Sequence, residues 1–123
     1  MLFMLTAPST RDAIESSLRG IENRTCIRFI QRANNEADYV AVTNQPSGCY
    51  SNLGRIGGRQ QLNLGSGCVN TGTIQHEFMH ALGFIHEHTR PDRDDYVYIL
   101  YPNIFFCMFS IHSIARSVVV QMD

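Results

Sequence analysis

Residues 76–86 read HEFMHALGFIH, a run whose residue spacing specifies a helix, a sharp turn and a metal site. His76 and His80 stand four apart, which on an α-helix puts them on one face, so both imidazoles can reach a single ion. Glu77, one position round, points at the open side of that ion. Gly83 then allows a left-handed turn that sends the chain back under the metal, which makes His86 a third ligand. H-E-x-x-H alone arises by chance in about 1% of chains of this length, and specifying the glycine and the third histidine lowers that by roughly 400-fold. Three neutral imidazoles leave the fourth position of tetrahedral zinc for water, whose pKa then falls to about 7, the mark of a catalytic rather than a structural site. The expectation is one zinc ion per chain.

Outward from the motif, Thr71 or Thr73 can cap the helix, which carries Ile74, Phe78, Met79 and Leu82 as core residues and stops at Gly83. Near the start of the chain, Ser9 and Thr10 followed by Asp12 make an N-cap with an acid in the first turn. Ile14, Leu18 and Ile21 then recur at helical spacing and predict a helix over about 10–23 with one buried face. Residues 26–31, with Ile27 and Phe29 set against Arg28 and Ile30, and the β-branched run 39–43 both read as strands. Residues 44–48 have turn composition, Gly54, Gly57 and Gly58 punctuate the next stretch, and residues 59–64 resume an extended pattern with Leu62 and Leu64 on one side. Two helices and at least three short strands predict an α+β fold, a small sheet with helices on it.

The whole chain has 123 residues, which allows one domain or part of one. With 44% hydrophobic and 17% charged residues it can bury a core and is not a solvated disordered chain. The net charge is −1 and every basic residue is Arg, a balance that recruits neither nucleic acid nor an anionic membrane. The longest wholly apolar run, residues 104–109, falls far short of the roughly 20 residues a membrane span needs. Residues 1–5 are apolar but lack the basic start and cleavage site of a signal peptide. Four cysteines without a C-x-x-C pair read as a disulfide set and an oxidising compartment, and together with the missing leader they suggest an incomplete copy of a secreted protein. Asp92, Asp94 and Asp95 lack calcium-loop spacing and read as a solvated turn with Arg93 paired locally; His88 and His112 read as surface residues.

Residues 76–97, HEFMHALGFIHEHTRPDRDDYV, resemble the extended signature of the astacin family of metzincin endopeptidases. The resemblance continues through RTCIRF at 24–29, GCYS at 48–51, GRIGGRQ at 54–60 and LNLGSGC at 62–68, and covers about 12–104. It implies the upper subdomain of a zincin-like fold, a small twisted mixed sheet with an active-site helix and a backing helix. It also implies a secreted zinc metalloendopeptidase acting on proteins or peptides. His76, His80 and His86 become the zinc ligands, and Glu77 the general base that takes a proton from the zinc-bound water and passes it to the leaving amine. The same resemblance implies a Cys49–Cys68 disulfide and an edge strand of Cys49, Tyr50, Ser51 and Asn52 that pairs with an extended substrate. Glu87 matches the family residue that meets the buried N-terminus of the mature enzyme.

The family's second half carries a Ser-x-Met-His-Tyr segment, and these 123 residues do not. Met108 and Met122 lack its flanking pattern, while Tyr96, Tyr98 and Tyr101 follow His86 too closely to match its Tyr. Residues 105–123 read as a divergent tail, and the family partner of Cys26 lies in the same half, which leaves Cys107 as its candidate here. Two functions of different class follow: a zinc endopeptidase, or a truncated zinc-binding half-domain without turnover. A disulfide-stapled binding module with structural histidines is a third, disfavoured by the open three-ligand set. Oligomeric state is not legible in the sequence.

Overall fold

A computed structural model describes residues 8–33 and 35–103, together with the backbone of two short strands at Leu2–Phe3 and Val120–Gln121. Helix α1 spans Pro8–Glu22 and starts two residues before Thr10, because proline's fixed φ and missing N–H are tolerated in a first helical turn. Ile14, Leu18 and Ile21 turn one stripe inward with Ser17, while Arg11, Glu15 and Arg19 line the exposed side as weak i,i+4 pairs.

Strand β1 (Leu2–Phe3) lies parallel to β2 (Tyr39–Thr43), β2 parallel to β4 (Arg59–Leu64), and β3 (Cys49–Ser51) antiparallel to β4. The order β1-β2-β4-β3 makes the expected small mixed sheet, with β3 at an edge. The register sets Val42 beside Leu62, and both are fully buried. They join Ile14, Leu18 and Ile21 of α1 and Ile74 and Phe78 of helix α2 (Thr71–Ala81) in one cluster. Each such side chain contributes about 1.5–3 kcal/mol of transfer free energy, and the cluster fixes α2 against the sheet.

Residues 26–31 do not form the expected strand, for they join no ladder. The Phe29 N–H instead donates to the Glu22 carboxylate at 2.7 Å, and the Phe29 ring stands edge-on to Phe78 at 5.4 Å. Alternation there reports packing on the helix ends, because side-chain bonds satisfy the backbone.

The Cys49–Cys68 disulfide implied by the family resemblance is formed and ties β3 to the turn ahead of α2. Cys26 is exposed and unpaired among the described residues; Cys107, Met108, His112 and Met122 lie outside them. Asn63, fully buried, accepts from Thr43 Oγ1 at 2.9 Å and Gln45 N–H at 2.8 Å and donates to the carbonyl of Gly48 at 2.8 Å, so one amide holds the 44–48 turn.

The chain divides into two compact units at Ile85 and His86. The second contains short 3-10 turns at Glu87–Thr89, Arg93–Asp95 and Tyr101–Asn103, and strand β5 (Tyr98–Ile99) antiparallel to β6 (Val120–Gln121). Its acidic turn is solvated and locally paired as expected: Arg93 donates to Asp94 and to the His88 carbonyl, and Arg90 to Asp92 and Glu87. Glu87 is exposed and paired with Arg90. Among the described residues no helix is long and apolar enough to cross a membrane.

Candidate metal centre

Helix α2 begins at an N-cap that is neither Thr71 nor Thr73 but Asn70, whose side chain accepts from the Thr73 N–H at 3.0 Å. Ile74 and Phe78 face the core, and the same periodicity turns His76 and His80 together toward the other side. The helix ends in a Schellman motif: Gly83 N–H donates to His80 O at 2.9 Å, and Phe84 N–H reaches back to Met79 O at 3.0 Å. Gly83 holds φ at 102°, a value that L side chains rarely adopt, and the reversal predicted from sequence occurs there.

The turn does more than redirect the chain. It brings the Phe84 carbonyl to 2.8 Å from His80 Nδ1, and because a carbonyl only accepts, Nδ1 carries the proton. Nε2 is then the ring atom left to ligate, 3.0 Å from Nε2 of His76, with the two rings at 80°. His86 opens the second unit as the residue before its first 3-10 turn, where its ring stacks on His88 at 5.6 Å. His76, His80 and His86 each offer a nitrogen within 4.8 Å of the others, a cluster that could bind a metal. Tetrahedral zinc separates two imidazole nitrogens by about 3.3 Å. The His76–His80 separation of 3.0 Å lies close to that value, and an all-imidazole donor set suits zinc.

Glu77 sits between the core and the histidine face and is only 5% exposed. Its Oε2 is buried and has no hydrogen-bond partner among the described residues. Burial pushes the carboxyl above its ordinary value, with His76 and then His80 opposing the shift. An orphaned carboxylate oxygen beside converging imidazoles is a proton acceptor without a structural duty.

Of the other sequence-derived candidates, Cys49, Tyr50 and Ser51 form the edge strand and Asn52 follows it, its N–H donating to Gln61 O at 3.1 Å and its side-chain oxygen accepting from Gln61 N–H at 2.8 Å. Tyr50 is exposed, its hydroxyl donating to Gln45 and accepting from Gln61. Gln60 was not among the candidates from sequence. It lies in phase with Leu62 and Leu64 and is 5% exposed, a polar residue on a core-facing row, and that mismatch is the signal that could have found it.

The chain matches the Astacin peptidase family over residues 3–112. It belongs to the astacin family. This astacin-family chain is 54% identical over 92 residues to high choriolytic enzyme 2 of Oryzias latipes, covering 74% of itself and 32% of that protein. It is 44% identical over 95 residues to zinc metalloproteinase nas-15 of Caenorhabditis elegans, covering 77% of itself and 16% of that protein. The solved structure of high choriolytic enzyme 1, a hatching enzyme zinc-protease from medaka, superposes with a TM-score of 0.74 at 48% identity, covering 81% of this chain and 50% of that one. The α+β zincin-like fold is thus that of an astacin domain. The chain spans about a third of the length of high choriolytic enzyme 2 and half of the solved enzyme chain.

Proposed function

We propose that this astacin-family chain is part of a single peptidase domain and acts as a zinc-dependent metalloendopeptidase on protein or peptide substrates. The observation that carries the reading is the buried Glu77 oxygen, without a hydrogen-bond partner among the described residues, beside two imidazoles whose Nε2 atoms converge to 3.0 Å. The names of its relatives, choriolytic enzyme and zinc metalloproteinase, support it. In this reading His76, His80 and His86 hold one zinc ion. When bound, the metal supplies Lewis acidity that polarises the scissile carbonyl and brings the pKa of water to about 7. Glu77, its proton affinity raised by burial, takes the proton of the attacking water and returns it to the leaving amine. Phe84's carbonyl keeps His80 in the tautomer that can ligate. The edge strand formed by Cys49, Tyr50 and Ser51, with Asn52 beyond it, orients an extended peptide by adding it as a further strand. The disulfide favours an extracellular setting.

Zinc stoichiometry, paired with chelator-sensitive cleavage of fluorescent casein, tests this. The expected result is one zinc per chain and cleavage that falls by about 10²–10⁴-fold in Glu77→Ala while zinc is retained. Zinc without cleavage would instead make these residues a metal-binding half-domain without turnover, and absence of zinc would sink both readings.

A further inference from the structure

We infer that Gln60 is a positioning residue for the metal centre, acting through the loop that follows the edge strand; the inference rests on the zinc reading above. The His80 carbonyl accepts two N–H groups, one from Gly83 within its own helix end at 2.9 Å and one from Gly54 at 2.8 Å. Gly54 comes from the loop between β3 and β4, so this bond ties the ligand-bearing turn of α2 to the sheet edge. The approach is backbone to backbone: a Cβ added at Gly54 would stand 3.8 Å from the Cα of Gly83, and Gly54 holds φ at 66°.

Among the described residues the β3–β4 ladder ends at Asn52, short of Gly54. Gln60 holds the loop there with both ends of its amide, Nε2 donating to the Gly54 carbonyl at 2.9 Å and Oε1 accepting from the Ile56 N–H at 3.4 Å. A buried amide in a row otherwise filled by Leu62 and Leu64 is retained at a cost unless its hydrogen bonds matter. Here the bonds set the height of the Gly54 N–H and, through it, the His80 carbonyl. Because Nδ1 of the same residue is pinned by Phe84, a shift of the His80 backbone moves Nε2 directly.

The test uses the 123-residue chain, a chromophoric chelator competing for zinc, and the visible d–d bands of the cobalt(II)-loaded protein. Gln60→Glu keeps the acceptor and deletes the donor to Gly54. It is expected to weaken zinc binding about tenfold and to shift the cobalt bands. Gln60→Asn, which draws the amide back by one methylene, is the milder second variant and should move both readouts in the same direction. Asn63→Ala is the control, since it loosens the 44–48 turn and lowers Tm without touching the His80 carbonyl; its zinc affinity and cobalt bands should match the wild type. Wild-type zinc uptake with unchanged affinity and bands in both Gln60 variants overturns this inference alone, as does an equal effect of Asn63→Ala. A wild-type chain that takes up no zinc overturns the metal reading and this inference with it.

Discussion

Glu77 keeps a buried carboxylate oxygen without a hydrogen-bond partner among the described residues, and that has a consequence for folding as well as for chemistry. Burial raises its carboxyl pKa, so the folded metal-free chain holds that proton more tightly than the unfolded chain. Stability therefore falls as pH rises from the unfolded value, about 4, through the higher folded one. Glu77→Gln should raise the Tm of the metal-free chain at pH 7, with the gain fading near pH 4; a calorimetric Tm identical to wild type at pH 7 would contradict this. Asp38 has the opposite sign. The Arg55 guanidinium, then the Gly58 N–H, hold its carboxyl below the ordinary range. Its contribution is present above about pH 4 and is lost as pH falls through the lower folded value. Asp38→Asn should lower Tm most near neutrality, and the difference from wild type should shrink in thermal melts taken at progressively lower pH. Glu77 and its neighbouring histidines were legible from spacing alone, because helical periodicity places residues four apart on one face. The polar break that Gln60 makes in its row was legible too, but its partners and those of Asn63 were not, because what a buried amide bonds to depends on which loops fold over it.

At the scale of the element, α2 shows which local rules were decisive. Gly83 was legible as a stop because only glycine accepts its backbone conformation without strain. Gly83→Ala should cost about 1–2 kcal/mol, read as a lowered midpoint in urea unfolding with an unchanged slope. Thr71 and Thr73 are the expected N-caps, yet Asn70 takes the position, since Thr and Asn can both cap and the choice belongs to the chain's path out of the disulfide turn. Residues 26–31 make the same point from the other side. Their alternation is genuine, with Phe29 packed on Phe78, but a strand exists only where a second backbone accepts the ladder.

At the scale of the whole molecule, the Cys49–Cys68 link closes a loop with a sequence separation of 19 that runs through β4 and joins the edge strand to the entrance of α2. Loop-closure entropy sets its contribution at about 3 kcal/mol. The Cys49→Ala/Cys68→Ala double variant should lose about that much in denaturant titrations, and loss of under about 1 kcal/mol would mean that the unfolded chain is already constrained. Local sequence patterns specify the α+β class, the helix that presents His76 and His80 on one face, its reversal at Gly83 and the family to which the chain belongs. These follow from periodicity and from backbone freedom, which are local properties of the chain. Packing between distant segments keeps residues 26–31 out of the sheet, buries Glu77, and bonds Gly54 to the His80 carbonyl. Each of those depends on segments far apart in sequence competing for the same backbone groups and the same buried volume, and no local pattern encodes the outcome of that competition.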